Sequence, residues 1–173
     1  QVVLRAARTG AARERMPAGP FTAAGFAAST RRLIGASGGD RHYTSLVPTQ
    51  LQRVLADPQA REAAAGFDAI LVGGASVHPR LTRDAEEAGV RLVRTYGMTE
   101  TCGGAVYDGH PLPGVDLTIE ADRRVRLRGP VGAARYAPIA PQGARPAPPC
   151  MRPSHGPRAG SRPARASVLL PLL

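Results

Sequence analysis

Apolar residues recur in two rhythms along this chain, and each rhythm predicts a different element. In "TAAGFAASTRRLIG" (22–35), Phe26, Ala27 and Leu33 share one side at helical spacing, with Thr22 as N-cap and Gly35 at the end. "HYTSLV" (42–47) is β-branched and aromatic, and reads as a short strand. Helical spacing returns in "PTQLQRVLADP" (48–58) at Leu51, Val54 and Leu55, with Pro48 suited to a helix start and Pro58 closing the segment. "QAREAAAG" (59–66) predicts a further short helix. "FDAILVGG" (67–74) is an almost continuous apolar run ending in glycines, as in a parallel strand buried on both faces. "PRLTRDAEEAG" (79–89) predicts a helix between Pro79 and a Gly89 C-terminal cap, and "VRLVRTYG" (90–97) the next strand. Strand, helix, strand, helix, strand implies right-handed crossovers and a parallel α/β sheet.

Past residue 102 the rhythm changes. "VDLTIEADRRVRLRG" (115–129) reads as a hairpin, with Val115, Leu117 and Ile119 opposite Val125 and Leu127, and it begins a small antiparallel sheet. Asp108–Gly109 is a turn. From about Ala137 periodicity ends: nine of the 17 prolines lie in 137–173. Such a segment buries too little apolar surface to offset the entropy of ordering its backbone. It reads either as a disordered basic tail or as a frame-shifted translation of GC-rich DNA, and composition favours the second. The expected organisation is an unassigned segment at 1–20, an α/β part at 21–113, the start of a small β subdomain at 114–136, and the Pro/Arg-rich tail at 137–173.

Charge alters this picture less than its total implies. The net charge is +10, but residues 1–122 hold 13 Arg against 13 acids, while 123–173 hold 10 Arg and no acid. Basic character therefore belongs to the tail, and no specific nucleic-acid site is expected. All 23 cations are Arg; with abundant Ala, Gly and Pro, this is the usage of a GC-rich genome. No apolar run reaches the roughly 18 residues of a membrane span, and the first residues lack the apolar core of a secretion signal. Cys102 and Cys150 form no CxxC pair or disulfide framework, so a reduced cytoplasm is the default compartment. His42, His78, His110 and His155 show no metal-ligand spacing, and Ser76 reads as a helix-start residue rather than a nucleophile.

Candidate chemistry sits where open α/β sheets bind ligands, outside the carboxyl ends of the strands. One turn is Gly73, Gly74 and Ala75; the other is "TYGMTET" (95–101). Adjacent parallel strands would bring the two turns together. Glycines let a flat ring or a phosphate approach the backbone. A Tyr ring can stack on a base, and a Thr hydroxyl with free amides can bind phosphate oxygens. A carboxylate can hold Mg2+, which takes one or two carboxylates alongside phosphates and water.

"YGMTE" (96–100) closely resembles the aromatic-Gly-x-Thr-Glu signature of the acyl-adenylate-forming, or AMP-binding, enzyme superfamily: acyl-CoA synthetases, peptide-synthetase adenylation domains and luciferases. "TSLVPTQLQRVL", "FDAILVGGA", "PLPGVDLTIE" and "LRGPV" follow the same order, and the resemblance covers about residues 20–136. "SLVPTQLQRVL" with "YGMTETCGGAVYDG" is most similar to the o-succinylbenzoate–CoA ligases of actinobacteria, enzymes of menaquinone synthesis. The resemblance implies an α/β fold, the βαβαβ part of that superfamily's large N-terminal domain. It implies ATP, Mg2+ and CoA as cofactors and co-substrates, and a small carboxylic acid, o-succinylbenzoate favoured, as partner. Gly73, Gly74 and Ala75 would line the adenine and acyl pocket. Tyr96 would stack on adenine, Gly97 give the turn room, Thr99 contact the α-phosphate and Glu100 ligate Mg2+. Met98 and Gly103 would lie along the acyl group.

The sequence also departs from that superfamily. The Ser/Thr/Gly-rich phosphate loop, the Tyr-x-x-Gly-Asp ribose segment and the catalytic Lys are missing from residues 1–173, which contain no Lys. The implied chain is a fragment, inactive alone. Two alternatives remain open: a ligase for a medium-chain or aryl acid, and a non-catalytic module whose basic arm binds nucleic acid or anionic membrane.

Overall fold

The computed structural model describes residues 12–36, 39–101 and 103–131, together with the backbone of 166–170. The expectations for Cys102, Cys150, His155 and most of the Pro/Arg-rich tail lie outside the described residues. The chain forms two compact units, residues 1–96 with 163–173, and residues 97–162.

In the first unit the strands are β1 (Arg13–Arg15), β2 (Arg41–Leu46), β3 (Ala69–Val72) and β4 (Leu92–Met98), which begins in this unit, with β9 (Ala166–Leu170) from the far end of the chain. They run parallel in the order β1-β9-β2-β3-β4. Register is set by Tyr43 opposite Ala69, Leu46 opposite Val72, and Val72 opposite Arg94. The helices are α1 (Ala23–Ala36), α2 (Pro48–Ala56), α3 (Pro58–Ala65) and α4 (Pro79–Glu87).

Local chemistry explains each boundary. Thr22 caps α1, its Oγ1 accepting the Gly25 amide at 3.1 Å. The helix continues through Gly35 to Ala36, one residue past the expected stop. Pro58 opens α3 rather than merely closing α2: Asp57 lies between them, and its carboxylate accepts the Ala60 amide at 2.8 Å. Ser76 is not the residue that starts α4. His78 caps that helix, Nδ1 accepting the Arg80 amide at 3.1 Å. At the other end Gly89 (φ +71) bonds back to Glu86, and the Val90 amide to Ala85, which is a Schellman closure.

All four helices contribute to one core, where Phe26, Leu33, Leu51, Val54, Ala64, Phe67 and Ala85 pack with Leu46, Ile70 and Val72 of the sheet. Phe26 stands 5.9 Å from Phe67 between ring centroids. Among the described residues the sheet is covered on one face. His42, Thr44 and Leu46 are buried while Tyr43 is half-buried and Ser45 exposed; Ile70 and Val72 are buried while Leu71 is half-buried. The expectation that β3 is buried on both faces therefore holds on one, because the described helices share one side.

The second unit carries a 3-10 turn (Thr99–Thr101) and two antiparallel hairpins. β5 (Gly103–Tyr107) pairs with β6 (His110–Pro111), and β7 (Asp116–Ile119) with β8 (Val125–Arg128). Asp108 and Gly109 between the first pair both have positive φ, +46 and +83, the signature of a type I′ turn. Leu117 lies opposite Leu127, and Ile119 opposite Val125, as the alternation predicts.

Candidate functional site at two strand ends

Each candidate turn is built by a different device. Gly73, Gly74 and Ala75 follow β3 directly, and Gly74 has φ +81, a conformation that favours glycine. Gly73 lies against β4: a Cβ there would run into the Thr95 hydroxyl and come within 2.9 Å of the Thr95 carbonyl. The Thr95 hydroxyl also reaches the Val72 carbonyl at 3.4 Å. Parallel pairing of β3 and β4 thus brings the first turn alongside the start of the second. Gly74 and Ala75 are exposed, and Tyr96, next after Thr95 on β4, keeps 40% of its surface open.

The rest of the heptapeptide belongs to the second unit. Gly97 is where the chain meets itself. A Cβ there would collide with the Gly103 carbonyl and lie 2.7 Å from Gly104 Cα, so no larger residue fits without moving backbone. The resemblance implies that Gly97 gives the turn room, and the structure sets Gly103 and Gly104 against it. Met98 is 41% exposed, Thr99 is exposed and Glu100 half-buried.

Thr101 differs from its neighbours: it is 5% exposed. Its Oγ1 accepts the Met98 amide at 2.9 Å and lies 3.0 Å from the Met98 carbonyl and 2.6 Å from the Gly103 carbonyl. Sequence reasoning singled out neither Thr95 nor Thr101. Strand register marks Thr95 as the neighbour of Gly73, but nothing in "TYGMTET" separates Thr101 from Thr99.

Among the described residues no group of three or more His, Cys, Asp and Glu side chains is placed to enclose a metal ion. Glu100 fits a looser mode. Its carboxylate takes part in no hydrogen bond or ion pair among the described residues, and one free carboxylate suits a hard cation that retains water and phosphate oxygens. A cleft of about 560 Å³ lies elsewhere in the first unit, between α2–α3 and α4, lined in part by Leu55, Arg61, Leu81 and Asp84. It contains none of the candidate residues.

The AMP-binding enzyme family matches residues 40–140, a span that holds both turns. The chain is 47% identical over 105 residues to the probable 2-succinylbenzoate–CoA ligase of Mycobacterium tuberculosis, covering 60% of this chain and 27% of that protein. To the 2-succinylbenzoate–CoA ligase of Salmonella typhimurium it is 39% identical over 102 residues, covering 54% of this chain and 21% of the relative. Among solved structures, the o-succinylbenzoate CoA synthetase of Bacillus subtilis matches with a TM-score of 0.56 at 24% identity, over 67% of this chain and 27% of that one. This last likeness is one of fold. The chain spans about a quarter of the length of the curated relatives it matches.

Proposed function

The chain belongs to the AMP-binding enzyme family, and from that premise we propose that it is part of an ATP-dependent acid–CoA ligase whose acid is 2-succinylbenzoate (o-succinylbenzoate). The observation that carries this reading is the Gly73–Ala75 turn at the carboxyl end of β3, set beside Thr95 where the parallel pairing stops and β4 runs on to Met98. The 47% identity to a protein named for that reaction supports the choice of acid.

In such a ligase a carboxylate oxygen of the acid attacks the α-phosphorus of ATP. The bond to pyrophosphate breaks and an acyl-adenylate forms. The CoA thiol then attacks the acyl carbon, loses its proton and displaces AMP. Gly73, Gly74 and Ala75 let a flat ring approach the strand end, and the exposed ring of Tyr96 offers a face for adenine. Thr99 offers a hydroxyl to the α-phosphate, where charge builds in the first step. Glu100 would hold Mg2+, which neutralises phosphate charge when bound. Met98 and Gly103 would lie along the acyl group.

Residues 1–173 contain no Lys and no Tyr-x-x-Gly-Asp segment, so this chain presents part of the machinery. Given ATP, Mg2+, CoA and 2-succinylbenzoate, it is expected to release no CoA ester; ester formation would overturn that statement. Reading the gene in all frames, upstream of Gln1 and beyond Leu173, defines the protein for the second assay, acid-dependent exchange of pyrophosphate into ATP. We expect 2-succinylbenzoate to drive exchange best. Stronger exchange with a medium-chain or aryl acid would reassign the substrate, and none with any acid would remove the ligase reading.

A further inference from the structure

We propose that Thr101 is a positioning residue, whose buried hydroxyl clamps the turn and so sets the aim of Thr99 and Glu100. The inference rests on the reading of those two residues given above.

A hydroxyl has one proton to give and two lone pairs to accept with. At Thr101 one lone pair takes the Met98 amide at 2.9 Å, and the proton has its shortest acceptor in the Gly103 carbonyl at 2.6 Å. One side chain therefore ties residue 98 to residue 103, and Thr99 and Glu100 lie on the loop between. The 3-10 segment they occupy is three residues long, too short to hold itself. Thr99 and Glu100 give it no help: neither side chain makes a hydrogen bond among the described residues. The functions divide along burial. Exposed Thr99 and half-buried Glu100 are free to meet a ligand, whereas Thr101 is 5% exposed and fully engaged with backbone. Removing its hydroxyl takes the partner from a part-buried amide and a part-buried carbonyl, and the loss is largest where water cannot replace it.

The test compares the wild-type chain with Thr101→Val, Thr101→Ser and Glu100→Gln. Two quantities are read: hydrogen exchange at the Met98 amide, and the factor by which Mg2+ tightens binding of β,γ-imido-ATP. In Thr101→Val, exchange at Met98 is expected to rise about tenfold, the loss of one net hydrogen bond. Its Mg2+ factor should fall toward that of Glu100→Gln, and its affinity in the absence of Mg2+ should fall as well, because the aim of the Thr99 hydroxyl is lost together with that of the carboxylate. Thr101→Ser, which keeps the hydroxyl and drops the methyl, should restore both. A valine variant that retains the wild-type Mg2+ factor overturns the inference alone, as does a serine variant that fails to rescue. A wild-type chain with no Mg2+ factor overturns the reading of Glu100 first and this inference with it. Should the valine variant not fold, Thr101→Ala, which leaves space for a water, carries the same comparison.

Discussion

The two units of this chain hold themselves together by different means. In the first, four helices and two strands place Phe26, Phe67, Leu51, Ile70 and their neighbours in one continuous core. Among the described residues of the second, the buried apolar ones are Ala105, Val106 and Val115, and the hairpin β7–β8 leaves Ile119 66% and Val125 41% exposed. Its order comes from turns: a type I′ corner, a Gly97 pressed against Gly103, and the Thr101 hydroxyl. Burial scales with apolar area, whereas single hydrogen bonds contribute little net stability. The difference teaches where the candidate chemistry sits. Among the described residues, Thr99 and Glu100 belong to the unit with the smaller core, in keeping with binding segments being drawn from the less stable parts of proteins.

The sharpest way to break this contrast is Phe67→Ala. Phe67 is 1% exposed and packs on Phe26. Truncating a buried Phe costs about 3–5 kcal/mol. Hydrogen exchange at Ile70 and Val72 should accelerate by orders of magnitude, while amides of Leu117 and Leu127 change little. Equal acceleration in both hairpin and sheet would show that the two regions open as one.

Much of the first unit was legible because its patterns are strong. Phe26, Ala27 and Leu33 fall on the buried side of α1 as their spacing requires, and Gly89 ends α4 through its positive φ. The misreadings have physical causes. Pro58 suits either side of a helix boundary, and only the Asp57 cap decides. His78 is an unusual cap, and Ser76, two residues earlier, is of the type that caps helices more often. Leu71 is apolar yet half-buried because no described helix lies on the second face of the sheet. The apolar "SVLL" of β9 was hidden by averaging composition over a Pro/Arg-rich stretch. In the candidate turns, residue types announced ring, hydroxyl and carboxylate. Which of the threonines is buried depends on where the chain returns, and Gly103 is what Thr101 returns to.

A smaller effect sharpens the account of the second unit. Gly97→Ala would put a methyl group into the Gly103 carbonyl and Gly104 Cα, both backbone and unable to swing away. Overpacking of this kind costs about 1–3 kcal/mol. Exchange at Ala105 and Val106 should rise, the Mg2+ factor for nucleotide should fall, and exchange at Ile70 should stay constant. An alanine variant with wild-type exchange throughout would mean that the turn is looser than its packing.

The smallest expected effect has the opposite sign. Arg123, in the β7–β8 turn, has φ +67, a left-handed conformation that costs a residue with a Cβ about 1–2 kcal/mol. The neighbouring bonds keep it there: its own amide donates to the Glu120 carbonyl at 2.8 Å, and the Arg124 amide to the Asp122 carboxylate at 3.1 Å. The ion pairs of this turn belong to Arg124 and Arg126, with Glu120 and Asp122, so they survive a change at Arg123. Arg123→Gly removes the Cβ strain and gives back part of the gain, because glycine loses about 0.5–1 kcal/mol more to backbone ordering. The balance is a hairpin more stable by about 0.5 kcal/mol. Slower exchange at Leu117 and Leu127 would register it. Faster exchange would mean that the arginine side chain contributes more to the hairpin than its backbone conformation costs, and that this unit depends on side-chain packing more than its exposed apolar face implies.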